Sequence, residues 1–250
     1  MPDTIAIAAD RKGWTAPILL LTWVAGTVDA IGYLGLGHVF TANMTGNAVL
    51  LGLAFGQGQF LAGFRALFAL AGFILGVTIG AILAHRAGTD VDQRRAFLGP
   101  VIVEALVLAA FALVLHLPSI PRNQSTLHIL IGLSAVAMGV QSAAVRRLNL
   151  PGIATTVLTG TITSLVAELV RFLHIPYVSS PSEEPPESAP GRTRHLRLQA
   201  GVFLVYVAAA TAAGVFQNRV PLIVGLSPVI AICMVLYLAR STAARANAEA

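Results

Sequence analysis

The chain has 250 residues, 56% of them hydrophobic and only 11% charged, with a mean hydropathy of +0.79. A soluble domain carries about a quarter charged residues, so this composition excludes that class and describes an all-α polytopic membrane protein with no separate soluble domain. A net charge of +5 would suggest nucleic acid in a soluble protein. Here the arginines sit in short loops beside apolar segments and no basic stripe with interleaved aromatics occurs, so no nucleic-acid partner is expected.

Taken in order, residues 1–16 form an N-terminal tail holding Asp3 and Asp10, followed by a full-length span that reads as a signal anchor. Segment one, Pro17 to Leu36, carries Asp29 well inside it, and segment two, Val39 to Gln57, is unusually polar at its start. Segment three, Ala62 to Ala84, contains Gly72, Gly76 and Gly80 at four-residue spacing, a ridge that lets another helix approach closely. Such a ridge more often packs within one chain, but it could also seat a second copy in a homo-oligomer. Segment four, Phe97 to Leu115, holds Glu104, either a second buried acid or a partner for an arginine of the preceding loop. Segment five, Thr126 to Val145, ends in Gly139-Val140-Gln141-Ser142, and segment six, Ile153 to Leu173, is again polar at its start.

The composition then changes abruptly. Residues 174–197, rich in proline, serine, glutamate and arginine, read as a flexible cytoplasmic loop with no fold of its own. Segment seven, Leu198 to Phe216, and segment eight, Pro221 to Ala239, complete the membrane part, and 240–250 form a C-terminal tail.

Residues 17–125 and 126–239 look like two copies of one membrane repeat. Thr41-x-x-x-Thr45-Gly46 returns as Thr155-x-x-x-Thr159-Gly160, and Gly63/Gly76 share their spacing with Gly201/Gly214. Charge decides how the copies are arranged. If all eight segments crossed with the N-terminus inside, Arg86, Arg94, Arg95, Arg146, Arg147 and Arg219 would lie outside. If segments two and six dip in and return, only Arg65, Arg122 and Arg219 of the 16 basic residues remain outside, which fits the positive-inside rule far better. The expected architecture is six spanning helices plus two polar re-entrant segments in two inverted repeats, with both termini cytoplasmic in a bacterial inner membrane. Interrupted segments at matching places in inverted halves point to a transport site.

The candidate site residues follow from that pattern. A carboxylate at membrane depth is costly, so Asp29 is expected to face the interior and be paired or protonated, either as a coupling group or as an anchor for the turn before Gly32 and Gly35. Asn43, Thr45 and Asn47, with Thr155, Thr156, Thr159 and Thr161, are expected to form two facing polar walls that bind a small solute, with Gln141 as a further partner. If helical, Thr41/Thr45 and Asn43/Asn47 would each share a face. Taken singly, each of these residues would more often just bond a neighbouring helix. Glu168 and Arg171 read as an interfacial ion pair, and Trp14, Trp23 and Tyr177 as interface anchors.

No His, Cys or carboxylate pair stands at ligand spacing, so no metal is expected, and the lone Cys233 excludes an internal disulfide. Neither a nucleophile–base pair nor a phosphate-cradling glycine motif appears, so the chain is expected to be neither an enzyme nor an ATP-driven pump, and to need no cofactor.

Val28-Asp29-Ala30, Phe40-Thr41-Ala42-Asn43-Met44-Thr45-Gly46-Asn47, Met138-Gly139-Val140-Gln141-Ser142 and Thr155-Thr156-Val157-Leu158-Thr159-Gly160 resemble the YoaK family of bacterial membrane proteins. The resemblance spans Trp14 to Ala239 and departs at Ser142, where the family pattern leads one to expect Asn. It implies an integral inner-membrane protein and names no substrate. The residues themselves support a small-solute transporter or permease first, and a membrane assembly or binding subunit second.

Overall fold

The computed structural model describes residues 13–86, 93–148, 155–156, 158–172 and 189–248. The described elements are α-helices: α1 (Thr15–Gly35), α2 (Met44–Gly56), α3 (Phe60–Arg86), α4 (Gln93–His116), α5 (Gln124–Arg146), α6 (Leu158–Phe172), α7 (Ala189–Phe216) and α8 (Pro221–Ala248). Six contain windows long and apolar enough to cross a membrane: Thr15–Gly35, Phe60–His85, Ala96–His116, Gln124–Arg146, Thr193–Phe216 and Pro221–Ser241. The chain is an all-α polytopic membrane protein.

The two polar segments behave differently. α2 has 13 residues and α6 has 15. At 1.5 Å per residue α2 is about 20 Å long, short of the ~30 Å hydrocarbon layer, and the described part of α6 is about 22 Å. α2 starts later than the apolar pattern suggested, because the residues before Met44 are a bent lead-in rather than helix, and Thr155 and Thr156 are likewise bent. Thr41 and Thr155 therefore precede their helices, and the shared faces expected for Thr41/Thr45 and Asn43/Asn47 do not form. Two other boundaries move outward. α7 begins at Ala189, so the last part of the expected loop 174–197 is helical, while 173–188 lie outside the described residues. α8 continues through the alanine-rich end of the chain to Ala248, in keeping with the helix propensity of alanine.

The packing repeats itself. α3 lies on α5 as α1 lies on α7, and α5 on α4 as α1 on α8. α2 packs on α3 as α6 packs on α7, and α1 meets α5 while α4 meets α8. Exchanging α1–α4 for α5–α8 maps this set of contacts onto itself. Proline stands at the eighth position of both α4 and α8, in Pro100-Val101-Ile102 and Pro228-Val229-Ile230. This match was not singled out in the sequence, and it aligns Glu104 with Ile232. The matched spacing of Gly63/Gly76 and Gly201/Gly214 does not mark equivalent contacts: Gly76 is pressed on α5, whereas nothing lies near Gly214.

Two apolar clusters mark the ends of the bundle. One gathers Trp14 to Val28 of α1, Phe97 and Val101 of α4, Ala144 and Val145 of α5, Val202 of α7 and Val235 of α8. The other gathers Ile31 and Leu36 beside α1's end, Ala66 and Ala69 of α3, Phe111 and Leu115 of α4, Leu130 and Ile131 of α5, Ala213 of α7 and Val224 of α8. Gly37, just past α1, lies against the Arg65 side chain near the start of α3. The chain therefore leaves α1 and enters α3 at the same end, with α2 between them. Likewise α5 finishes, and α7 begins, at the opposite end. Trp14 is core rather than an interface anchor, packing edge-on against Phe97 at 4.7 Å. Tyr177 lies outside the described residues.

The glycine ridge is closed within the chain. A Cβ on Gly72 would lie 3.1 Å from the Gly132 carbonyl oxygen, one on Gly80 would lie 2.8 Å from the Ala143 Cβ, and one on Gly76 would collide with the Val136 carbonyl. Gly139 returns the contact against Phe73, and Gly26 brings α1 equally close to Tyr206 of α7. On the outside, α3 exposes Phe60, Phe64, Phe68, Ile74 and Leu75. In water this would be an aggregation surface; in a bilayer it is the lipid face. Gly76→Val should destabilise the purified protein by at least the ~1–3 kcal/mol typical of overpacking, read as a lower melting temperature. A wild-type melt would show that α3 and α5 do not cross this closely.

Candidate functional site

The site is built where the chain re-enters the bundle after α1. Backbone that enters hydrocarbon without being helical must find hydrogen-bond partners inside the protein. Asp29, buried, supplies them: its Oδ1 accepts from the Thr41 N–H at 2.6 Å, the Ala42 N–H at 2.6 Å and the Thr41 hydroxyl at 3.3 Å. Its other oxygen accepts from the Tyr206 hydroxyl of α7. One residue earlier, Asn47 closes the ladder. Its amide donates to the Phe40 carbonyl at 2.6 Å and its carbonyl accepts from the Phe40 N–H at 2.9 Å. Asn43 then caps α2, accepting from the Gly46 N–H at 3.2 Å. The lead-in can lie this close only because of two glycines. A Cβ on Gly32 would meet the Val39 carbonyl oxygen at 2.7 Å, and one on Gly46 would meet the Phe40 ring at 2.9 Å.

The second half does the same work with neutral groups. Gln141 of α5 donates through Nε2 to the Thr155 hydroxyl at 2.8 Å and to the Leu21 carbonyl of α1 at 3.0 Å. The Ser142 and Thr156 hydroxyls share a bond of 2.8 Å. Ser142 therefore keeps a polar role although the family pattern favours Asn there. In each half a side chain on the long preceding helix grips the first threonine of the motif, Thr41 or Thr155, and buries it. The second threonine, Thr45 or Thr159, is exposed and its hydroxyl has no hydrogen bond among the described residues. Thr161 is buried.

The expected site residues divide by what they bond. Asp29, Asn47, Thr155, Thr156 and the Nε2 of Gln141 bond within the fold, while the buried Gln141 Oε1 has no partner among the described residues. Among the described residues α2 packs on α3 and α6 on α7. Asn43, Thr45 and Thr159 are the members left presenting polar groups outward. Glu168 and Arg171 lie in α6, but their side chains fall outside the described ones. A groove of about 310 Å³ between α4 and α8, lined by Ala109, Ala112, Leu113, His116, Leu226 and Val229, includes none of the expected site residues.

Glu104 was underweighted in the sequence. It is fully buried, neither carboxylate oxygen has a hydrogen-bond partner among the described residues, and it lies in mid-span, away from Arg94 and Arg95 at the start of α4. Its signal was the Pro-Val-Ile repeat, which shows that the matching position of the other half is apolar.

Removing Asp29 should be the costliest of the polar changes. Asp29→Ala leaves the Thr41 and Ala42 N–H groups buried without acceptors, at about 1–3 kcal/mol each, whereas Tyr206→Phe removes one donor. The melting temperature is expected to fall markedly for the first and less for the second. Equal and small losses would mean that the lead-in is held by something else.

The family model described as "Protein of unknown function (DUF1275)" matches residues 18–239. A curated relative, the UPF0700 transmembrane protein YoaK of Bacillus subtilis (strain 168), is 46% identical over 151 residues. That alignment covers 60% of this chain and 64% of the relative, so the chain spans less than two thirds of the relative's length. No solved structure matches. With the family model covering nearly all of the membrane part, the chain belongs to the DUF1275 family, the family of the transmembrane protein YoaK.

Proposed function

We propose that this protein is a non-enzymatic small-solute permease built as two inverted repeats, with both termini in the cytoplasm of a bacterial inner membrane. The observation that carries the reading is the duplicated hold on α2 and α6. In each half the first threonine of Thr-x-x-x-Thr-Gly is locked to a long helix and the second is left open. Short helices that start inside the membrane present N–H dipoles there, the device by which carriers hold solutes at their repeat interface. The lead-in to α2 follows the outer end of α1 and that of α6 follows the inner end of α5. The two dips thus enter from opposite sides, as inverted halves require.

On this reading Asn43, Thr45 and Thr159 touch the solute. Asp29, Asn47, Gln141, Thr155 and Thr156 are positioning residues that fix the two lead-ins. Charge supports the orientation: Arg65, Arg122 and Arg219 lie at the end assigned to the outside, with Arg65 bonded to Gln124 at 3.2 Å and Arg122 to the Leu115 carbonyl at 2.9 Å. Rocking of the halves would pivot on the tight α3–α5 and α1–α7 crossings.

The test is thermal stability of the purified protein against anions, amino acids, nucleobases and sugars. A ligand of the folded state stabilises it by about 2.7 kcal/mol at a hundredfold excess over Kd. The expected result is a stabilising solute whose effect disappears in Thr45→Ala/Thr159→Ala while the unliganded melting temperature is unchanged. The internal bonding of the motifs also suits a second reading, an assembly subunit in which they serve only as structural supports. No stabilising solute, together with lower melting of Thr41→Ala/Thr155→Ala, whose hydroxyls are bonded within the fold, would favour that reading.

A further inference from the structure

We propose that Glu104 is a proton-binding acid at the centre of the membrane, its carboxyl taking a proton on one oxygen and returning it to water as the halves move. The inference deepens the transport reading by naming its driving ion, and its test needs no solute.

Three observations carry it. Glu104 is fully buried with both oxygens unpartnered, and it stands two residues from the middle of the span Ala96–His116. A carboxyl in that setting opposes folding, since buried polar groups are ordinarily bonded and an acid at membrane depth is costly. The second half supplies an internal control. Pro100-Val101-Ile102-Val103-Glu104 aligns with Pro228-Val229-Ile230-Ala231-Ile232, and Ile232 is as fully buried as Glu104. The fold accepts a branched aliphatic side chain at this place, so the acid is not there for packing.

The surroundings select the occupant. Val101 and Leu108, one turn to either side, belong to the same apolar cluster as Leu21, Met138, Val202, Ile232 and Val235. A metal cation would need several oxygen ligands and an opening to hold them, and this cluster offers neither, whereas a proton needs no added space. Titratable and charged side chains on the neighbouring helices are engaged elsewhere or lie away from mid-span. On α1, Asp29 is bonded to Thr41, Ala42 and Tyr206 of α7. Arg65 and His85 are near the two ends of α3, as His128 and Arg146 are on α5 and His195 and Arg197 near the start of α7. On α8, Cys233 and Tyr237 are exposed, and Arg240 lies near the end of the span.

The experiment uses the full-length protein in nanodiscs, with Glu104→Ile, which copies the second half, and Glu104→Gln, which keeps the shape. Labelling by dicyclohexylcarbodiimide, which attacks neutral buried carboxyls, is mapped by mass spectrometry through a pH titration. The infrared carbonyl band of the acid is followed in parallel. The proposal expects an adduct on Glu104 that declines as pH rises, a carbonyl band that declines with it, and loss of both in the two variants. It also expects Glu104→Ile to melt at or above wild type. A carbonyl band that never changes within the stability range, an unlabelled Glu104, or both variants melting well below wild type would overturn it. Loss of the solute effect in Thr45→Ala/Thr159→Ala bears on the transport reading alone, so either can fail without the other.

Discussion

A peptide group that enters hydrocarbon outside a helix has to be hydrogen-bonded by the protein, and the architecture of this molecule follows from how it meets that demand. Between α1 and α2 the chain turns back into the bundle at Gly37 and His38, both with positive φ, and exposes the backbone of Phe40, Thr41 and Ala42 to the interior. Asp29 and Asn47 satisfy four of those backbone groups between them, and Asp29 also accepts from the Thr41 hydroxyl. Without them the dip would be an unsatisfied loop in lipid. With them it becomes a fixed starting block for α2. Tyr206 ties this block to α7, so a bond at the first re-entrant segment also joins the two halves.

The halves solve one problem with different chemistry. The first uses a carboxylate on α1; the second uses the carboxamide of Gln141 and the hydroxyl of Ser142 on α5. The same divergence recurs in α4 and α8, where one burial position holds Glu104 and the other Ile232. Duplicated folds let one copy keep the scaffold residue while the other departs from it, and each departure here is acidic and lies in the first half. The acids are thereby separated into a bonded one, Asp29, which holds structure, and an unbonded one, Glu104, which is available for chemistry.

Much of this was legible in the sequence. Six apolar runs of spanning length became six long helices, and the two polar segments hold shorter apolar helices. What the residues did not reveal was which polar groups face inward on themselves. Thr41 and Thr45 have the spacing of a helical face, yet the N-cap at Asn43 places them on opposite sides of the helix start, and no periodicity reports a cap made by a side chain four residues before Asn47. Asp29 looked like the functional acid because depth alone distinguishes neither a bonded carboxylate from a free one nor an anchor from a carrier. That distinction needed a partner twelve residues ahead and another on α7. The glycine pairs misled for a related reason: shared spacing does not imply shared neighbours, as Gly214 shows beside Gly76.

The central claim is that α2 returns to the side from which it entered, and single-cysteine accessibility in a Cys233→Ser background tests it most directly. His38→Cys, between α1 and α2, should react with a membrane-impermeant reagent from the same side as Gln59→Cys, between α2 and α3, and from the side opposite to Ser241→Cys. If His38→Cys and Gln59→Cys instead label from opposite sides, α2 crosses the membrane, and the paired dips on which the account stands do not exist.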